Sequence, residues 1–161
     1  LFTYGGDGTP SCTNEVMDFN TLKPEFDAAG CLVLGMSKDS VKKHDKFIAK
    51  MGITLPLLSD TSTVMQDWGA FGEKLFFGKL VQGVLRSTFL IDGSGRIEQI
   101  WRVDKVKGHA NEAIGKVKEG VGKATDNSRL QGEGNAQQVK GKAQQLKGDV
   151  KEAIKKGVDK A

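Results

Sequence analysis

Up to about residue 107, apolar and polar positions follow patterns that predict strands and helices in alternation. Short, nearly continuous apolar runs at residues 1–4, 31–36 and 55–58 predict three strands. An apolar run without alternation is typical of a strand that is covered on both faces in a parallel sheet. These runs therefore predict an α/β domain.

Apolar residues three or four positions apart predict three helices in the same region. The first helix begins after Thr9, a favourable N-cap, with Pro10 at the first helical position. Pro24 is expected to restart or kink this helix, because proline removes a backbone donor. The second helix is predicted at residues 40–51 and a short third helix at residues 62–68.

Residues 85–92 and 96–103 flank a glycine-containing turn and predict a β-hairpin. The predicted order of elements is therefore β, α, β, α, β, α, β, β. An open sheet in which a Thr-Pro-x-Cys loop leads from a strand into a helix is typical of thioredoxin-like folds. This fold class does not by itself decide the chemistry.

From about residue 108 the sequence becomes rich in glycine and lysine, with a thin stripe of small aliphatic residues. The aliphatic spacing predicts two weakly amphipathic helices joined by a turn or flexible loop at residues 126–134. Glycine inside a helix costs about 1 kcal/mol relative to alanine, so we expect partial disorder. The stripe residues are Ile114, Val117, Val121 and Ala124, then Val139, Ala143, Leu146, Val150, Ile154 and Val158.

Composition divides the chain at the same place. All eleven aromatic residues and all three prolines precede residue 108. Residues 1–107 hold 13 basic and 13 acidic side chains, whereas residues 108–161 hold 11 and 7, so the net charge of +4 belongs to the tail. We therefore expect a packed domain at 1–107 and a helical module at 108–161. No aromatic residues are interleaved with the tail lysines, so a nucleic-acid partner is not expected.

The sequence also argues against membrane and metal-binding classes. No apolar run reaches the roughly 18–20 residues that span a bilayer, and no signal-peptide pattern is visible. The two cysteines and two histidines show no zinc-ligand spacing, so no metal or other cofactor is expected. The chain opens at Leu1 inside a predicted strand, and we therefore expect an upstream segment to be missing.

Cys12 has the sequence context of a reactive thiol. It occupies the third position of the first predicted helix, where backbone N–H groups and the helix dipole favour a thiolate. A thiolate can attack a peroxide O–O bond if donors hold the oxygens and a positive charge stabilises the leaving oxygen. Thr9 can supply the hydroxyl donor and Arg86 the guanidinium. The product would be a sulfenic acid on Cys12.

Five segments of the first 107 residues closely resemble the bacterioferritin-comigratory, or Q-type, peroxiredoxins. They are GDGTPSCTNE (6–15), VLGMSKDSVKKHDKFIAK (33–50), PLLSD (56–60), FGEKLFFGK (71–79) and RSTFLID (86–92). The resemblance implies a thioredoxin-like fold and an antioxidant thiol peroxidase that reduces hydrogen peroxide and organic hydroperoxides. It also implies recycling by an external thiol reductant, usually thioredoxin.

The resemblance assigns roles to particular residues. The peroxidatic cysteine falls on Cys12, the peroxide-orienting threonine on Thr9 and the activating arginine on Arg86. Glu15 also matches the family pattern just after the cysteine. Family members have further sheet strands before the strand at Leu1, which implies that this chain is N-terminally truncated.

Two positions depart from the family pattern. Gly5 stands where the family has an active-site proline whose ring shields the thiolate, so we expect a looser loop. Met17 stands five residues after Cys12, where many members carry a resolving cysteine. No local disulfide can form, and we therefore expect a one-cysteine enzyme.

The tail resembles a second family. From about Asn111, the tail resembles the CsbD-like family of small bacterial general-stress proteins, with the segments GKVKEGVGKATDNSRLQGEGNAQQVKGKAQQLKGDVKEAI. The resemblance implies a short helical fold and an association with stress, and no particular chemistry. We interpret the chain as a peroxiredoxin fused to a CsbD-like module.

Three residues with chemical potential lie outside the predicted site. Cys31 begins an apolar strand, where a free cysteine behaves as a small hydrophobe, and we interpret it as inert rather than as a resolving thiol. His44 lies among lysines on the second predicted helix, and His109 lies at the junction with the tail. Both histidines are interpreted as solvent-facing or half-buried.

The main hypothesis is a thiol-dependent peroxidase that takes a hydroperoxide substrate and thioredoxin or another thiol as reductant. The alternative is a non-enzymatic stress or interaction protein that acts through its basic tail. A free reactive thiol and the family resemblance favour the cytoplasm. We expect a monomer or a weak dimer.

Overall fold

The computed structural model describes residues 1–76 and 78–158, which form two compact units. The first unit combines Leu1–Asn20 with Val33–Asp104, and the second combines Thr21–Leu32 with the described residues from Lys105 onward. The elements are β1 (Phe2–Thr3), α1 (Pro10–Ala28), β2 (Gly35–Ser37), α2 (Val41–Met51), β3 (Leu57–Ser59), α3 (Val64–Asp67), β4 (Phe71–Phe76), β5 (Lys79–Val84), β6 (Ser87–Ile91), β7 (Ile97–Arg102), α4 (His109–Ala124) and α5 (Ser128–Val158).

A five-stranded mixed sheet runs through the first unit in the order β3-β2-β1-β6-β7. The short strand β1 lies in the middle, parallel to β2 and antiparallel to β6. The pair β2–β3 is parallel, and the predicted hairpin β6–β7 is antiparallel. This arrangement confirms the predicted thioredoxin-like α/β fold. The loop after β1 leaves the carboxyl end of a central strand, where sites of open α/β sheets commonly lie.

The first two helices begin close to the predicted residues, and α2 also ends where predicted. The carbonyl of Thr9 accepts the first helical hydrogen bond of α1 at 2.8 Å, and Pro24 lies inside this helix without ending it. The N-cap of α2 is Ser40, and its C-cap is Gly52 with φ 64°. Glycine suits this position because a Cβ atom disfavours left-handed backbone.

The prediction that residues 31–36 form one strand is wrong for its first four residues. The strand β2 covers only Gly35–Ser37, so Cys31 lies before it. Leu32 is exposed, which means that the apolar run is not covered on both faces as the prediction assumed. Gly35 passes between Phe2 and Leu57, and a Cβ atom there would lie 2.8 Å from both side chains.

The hairpin of β4 and β5 was not predicted. Its strands pair antiparallel to each other in a two-stranded sheet, from Phe71 opposite Val84 to Phe76 opposite Lys79. Charged residues and glycines interrupt the apolar alternation of both strands, so the period-2 pattern is absent from the sequence.

Aromatic packing dominates the core of the first unit. Phe2 stacks on Phe19 with ring centroids 4.3 Å apart. A second cluster centres on Phe89, which meets the edge of Trp68 at 5.2 Å. The buried members of this second cluster are Met65, Ala70, Val84 and Phe89.

The second unit contains the antiparallel helices α4 and α5. The predicted loop at residues 126–134 is wrong for all but its first two residues, because α5 begins at Ser128. Asn127 caps α5, since its side-chain oxygen accepts a 3.0 Å hydrogen bond from the N–H of Leu130. The two helices approach so closely that a Cβ atom on Gly115 would lie 2.6 Å from the carbonyl oxygen of Gly134.

Candidate active site

Cys12 lies in the first turn of α1 and is 3% exposed. The N–H groups of this turn have no helical acceptor, and together with the helix dipole they favour a negative charge here. The hydroxyl of Thr9, which precedes the helix, donates a 3.3 Å hydrogen bond to the carbonyl of Gly6. The thiol and the hydroxyl are therefore held at the junction between the loop after β1 and the start of α1.

The guanidinium of Arg86, a residue distant from Cys12 in the sequence, contacts the thiol. Arg86 lies between β5 and β6, and its Nη2 donates to the Sγ of Cys12 at 3.3 Å. Its Nη1 forms an ion pair with Glu15, which follows Cys12 by one helical turn. Residues three apart on a helix share a face, so the thiol and the carboxylate meet the same guanidinium.

These surroundings decide the ionisation of the thiol. Burial alone would raise the pKa of Cys12. Hydrogen bonds with Thr9 and Arg86, the positive charge of Arg86 and the N–H of Gly6 outweigh burial and lower this pKa below the ordinary thiol value. A thiol with a lowered pKa has a larger thiolate fraction at neutral pH.

Glu15 is a buried carboxylate with one partner at the site. It is 1% exposed, and burial raises its pKa to about 7 even though the charge of Arg86 acts in the opposite direction. Its second oxygen, Oε1, has no hydrogen-bond partner within the described residues. The position of Arg86 is thus linked to a group that titrates near neutral pH.

The two departures from the family pattern have different structural consequences. A Cβ atom on Gly5 would lie 3.6 Å from the Sγ of Cys12, an ordinary van der Waals distance. The glycine therefore leaves open a space directly beside the thiol. Met17 is half-buried on α1 and offers no thiol. Cys31 is also half-buried, and burial raises the pKa of its thiol, which is the opposite of the shift at Cys12.

Sequence reasoning missed a buried polar cluster beside the loop. His44 is 2% exposed, so the interpretation that it faces solvent is wrong, and His109 is likewise buried. Nδ1 of His44 lies 2.7 Å from Oδ2 of Asp7, and the hydroxyl of Tyr4 donates to Oδ1 of Asp7 at 2.7 Å. The lysines next to His44 in sequence gave no sign of burial. The one available signal was a single ionisable residue, Asp7, among glycines.

Two further kinds of feature are absent from the described part of the chain. Within residues 1–76 and 78–158, no group of three or more His, Cys, Asp or Glu side chains is arranged to hold a metal ion. No helix in the same residues is long and apolar enough to cross a membrane.

A buried thiol with a lowered pKa beside a guanidinium, on a thioredoxin-like sheet, is the site expected of a peroxiredoxin, a thiol-dependent peroxidase. Comparison with known proteins agrees with this class. The chain belongs to the AhpC/TSA family, whose sequence profile matches residues 1–100. The profile of a second family, described as CsbD-like, matches residues 104–156.

Curated relatives and solved structures are of the same kind. Peroxiredoxin Bcp of Xanthomonas campestris is 46% identical over 119 residues, which are 73% of this chain and 74% of the relative. Peroxiredoxin Bcp of Bacillus subtilis is 39% identical over 73% of this chain and 76% of its own length. A structure of the X. campestris bacterioferritin comigratory protein, studied for its alkyl peroxide reduction activity, superposes with TM-score 0.69 at 45% identity, covering 74% of this chain and 77% of that one. A Cys-to-Ser mutant of Xylella fastidiosa PrxQ gives TM-score 0.68 at 44% identity, covering 73% and 74%.

Proposed function

We propose that Cys12 is the nucleophile of this peroxidase and that Thr9 and Arg86 orient and polarise the peroxide. The observation that carries this proposal is the 3.3 Å contact between Nη2 of Arg86 and Sγ of Cys12. A guanidinium at this distance favours the thiolate before the reaction and faces the negative charge that develops on the leaving oxygen. The hydroxyl of Thr9 can turn from the carbonyl of Gly6 to donate to a peroxide oxygen.

The chemistry consists of one oxidation and one reduction of the sulfur. The Cys12 thiolate attacks one oxygen of the hydroperoxide, and an S–O bond forms as the O–O bond breaks. The sulfur becomes a sulfenic acid, and the leaving oxygen takes a proton and departs as water or an alcohol. Two external thiol groups then supply two electrons, which regenerates the Cys12 thiol and yields one disulfide and one water molecule.

We assign Glu15 a positioning role through Arg86. The ion pair between the two holds the guanidinium beside the sulfur. Because Glu15 is buried on α1 one turn after Cys12, this ion pair links Arg86 to the same helix as the thiol. Protonation of Glu15 would weaken the ion pair and leave Arg86 freer to move away from the thiol.

The substrate and reductant follow from the same chemistry. We expect hydrogen peroxide and organic hydroperoxides as substrates, and alkyl peroxide reduction is the activity studied in the related X. campestris protein. Met17 has no thiol and the pKa of Cys31 is raised by burial, which supports a one-cysteine cycle. An external thiol, with thioredoxin as the first candidate, then reduces the sulfenic acid.

The remaining expectations concern the chain as a whole. We propose that residues 1–107 carry the peroxidase and that residues 108–161 are a CsbD-like module associated with stress. A free low-pKa thiol persists best in a reducing compartment, which supports a cytoplasmic location. The protein is expected to act as a monomer or a weak dimer.

The experiment is intact-mass analysis of the chain after treatment with stoichiometric hydrogen peroxide and dimedone, which traps sulfenic acid. We expect one adduct at Cys12 in the parent protein and in the matched control Cys31→Ser. Cys12→Ser is expected to give no adduct and no turnover. Arg86→Ala should lower the rate with peroxide by about 10²–10³-fold, the usual effect of removing one electrostatic donor.

Two outcomes would contradict the assignment. Turnover that survives Cys12→Ser would exclude Cys12 as the nucleophile. An adduct at Cys31 alone, or no adduct at all, would do the same and would shift attention to a non-enzymatic role of residues 108–161.

A further inference from the structure

The loop between β1 and α1 has almost no conformational preference of its own. Residues 5–8 are three glycines and Asp7. Gly6 and Gly8 have φ angles of 153° and 82°, a region that disfavours other residues. Ordering such a segment carries a large entropy cost, so contacts with the rest of the fold must hold it in place.

Asp7 makes those contacts to three residues outside the loop. The Tyr4 hydroxyl, at the end of β1, donates to Oδ1 of Asp7 at 2.7 Å. His44 of α2 contacts Oδ2 at 2.7 Å, and the backbone N–H of Asp7 donates to Oδ2 of Asp39 at 2.6 Å. Asp39 is held in turn by Lys43 at 2.7 Å. The loop is therefore fixed through its one side chain and through the peptide group next to it.

The chemistry of the donors fixes the roles in this cluster. The hydroxyl of Tyr4 donates to Oδ1 of Asp7, and the 2.7 Å contact at Oδ2 suits the tautomer of His44 whose Nδ1 carries the hydrogen. The Nε2 of the same ring is buried without a hydrogen-bond partner in the described part of the chain. Tyr4, Asp7 and His44 are each at most 7% exposed, so water does not compete for these bonds.

The loop at residues 5–8 carries backbone groups that act on the thiol of Cys12. Gly6 directly precedes Asp7, and its N–H is one of the groups that lower the pKa of Cys12. The carbonyl of Gly6 accepts the hydrogen bond of Thr9, the predicted peroxide-orienting residue. A displacement of Asp7 would therefore move both groups relative to Sγ.

We propose that Asp7, held by Tyr4 and His44, is a positioning residue that keeps Gly6 and Thr9 aligned with Cys12. This inference rests on the proposed role of Cys12. Gly5 replaces the proline of the family in this loop. Asp7, two residues further along the chain, holds the loop in place instead.

The test measures the pH dependence of Cys12 alkylation by iodoacetamide and, separately, the rate constant with hydrogen peroxide. Asp7→Ala is expected to raise the pH midpoint of alkylation and to lower the peroxide rate constant about 30-fold, within the range for a small misplacement of catalytic groups. Tyr4→Phe removes only one hydroxyl from a buried ring and should shift both readouts in the same direction by less. Asp7→Asn keeps one of the two oxygen acceptors and should recover part of the loss.

A matched control separates positioning from general destabilisation. Asp60 is a buried carboxylate of the same unit whose partners include Lys38, Ser62 and the N–H of Met65. Asp60→Asn should lower the urea midpoint of unfolding without moving the alkylation profile.

Unchanged alkylation profiles in both Asp7→Ala and Tyr4→Phe would overturn the proposal, as would an equal shift in Asp60→Asn. A parent protein that lacks peroxidase activity, while Asp7→Ala still shifts the alkylation profile, would refute the role of Cys12 toward peroxide and leave the positioning role of Asp7 intact.

Discussion

The first unit encloses a core of aromatic and large aliphatic side chains, whereas α4 and α5 of the second unit meet through glycine backbones and glutamine side chains. Around Phe89, rings and branched chains fill the space between sheet and helix. Between α4 and α5, a Cβ atom on Gly134 would lie 2.6 Å from backbone atoms of Gly115 and Glu119. Large side chains therefore give close packing in the first unit, whereas glycines, which have no side chain, allow close packing of the helix backbones in the second unit.

Six glycines of the second unit form two series with a seven-residue spacing, which returns each series to about the same helix face: Gly108, Gly115 and Gly122, then Gly134, Gly141 and Gly148. Five of these six approach backbone atoms of the opposite segment, so most of these apparent helix breakers lie at the interface. The positions with backbone atoms within 3.0 Å of a Cβ are Gly108, Gly115, Gly122, Gly134 and Gly141.

Glutamines complete this interface. All five glutamines of the tail hydrogen-bond to α4 or to its end, for example Gln138 to Glu119 at 2.9 Å and Asn111 to Gln144 at 3.0 Å. The aliphatic stripe of α5, by contrast, faces outward, with Val139 and Leu146 each about two-thirds exposed. Apolar side chains are therefore the buried ones in the cluster around Phe89, whereas on α5 the glutamines face the partner helix and the aliphatic side chains face outward.

The largest expected effect lies in the aromatic core. Phe89→Ala should destabilise the first unit by about 3–5 kcal/mol, because it removes a 1% exposed ring and leaves a cavity. Both tryptophans belong to the first unit, so tryptophan fluorescence during urea unfolding measures this change. Leu75→Ala, on the exposed face of β4, is the control and should change stability by no more than about 0.5 kcal/mol.

A smaller effect is expected where the glycine helices touch. Gly134→Ala should destabilise the α4–α5 pair by about 2 kcal/mol, because the new methyl group overlaps with backbone. Gly132→Ala, two residues away with nothing near its Cβ, should instead stabilise α5 by about 1 kcal/mol through helix propensity. Hydrogen exchange of α4 and α5 amides distinguishes the two; equal protection in both variants would refute close backbone packing.

The stability contributions of Glu15 in the first unit and Glu119 in the second unit should respond to pH in opposite directions. The native pKa of Glu15, about 7, lies above its ordinary value of 4.5, so its contribution to stability is present at low pH and is lost as pH rises through about 7. The stability of the parent relative to Glu15→Gln should therefore fall between about pH 5 and about pH 8. Urea unfolding, monitored by tryptophan fluorescence at both pH values, measures this difference in stability.

Glu119 provides the comparison from the second unit. Hydrogen bonds from Lys123, Gln138 and Lys116 lower its pKa to about 2, so its contribution is present above pH 4.5 and is lost as pH falls through about 2. Glu119→Gln should leave the change in stability between about pH 5 and about pH 8 the same as in the parent protein. If the free energy of unfolding of Glu15→Gln still falls between about pH 5 and about pH 8, another group causes the pH dependence.

The smallest effect is expected on the outward stripe of α5. Leu146→Gln should change the stability of the second unit by no more than about 0.5 kcal/mol, because the side chain is 65% exposed. Hydrogen exchange of α5 measures this change. A loss comparable to that of Gly134→Ala would mean that the stripe is packed, and the contrast between the two units would then be wrong.

The sequence by itself determined the features that depend on neighbouring residues. Thr9 and Pro10 mark the start of α1, Ser40 and Gly52 mark α2, and the position of Cys12 in the first helical turn indicates a reactive thiol. These signals are local, because caps, helix spacing and the helix dipole act within a few residues. The resemblance to peroxiredoxins added Arg86, which no local pattern connects to Cys12.

The tertiary structure decided everything that requires two distant segments to meet. It placed the two-residue strand β1 in the centre of the sheet and brought His44 to Asp7, 37 residues away in sequence. It also chose which face of α5 is buried, because that choice depends on the glycines of α4 and not on the hydropathy of α5 alone. Apolar spacing predicts that a helix has two different faces. Which of the two faces is buried depends on the surface of the element against which the helix packs.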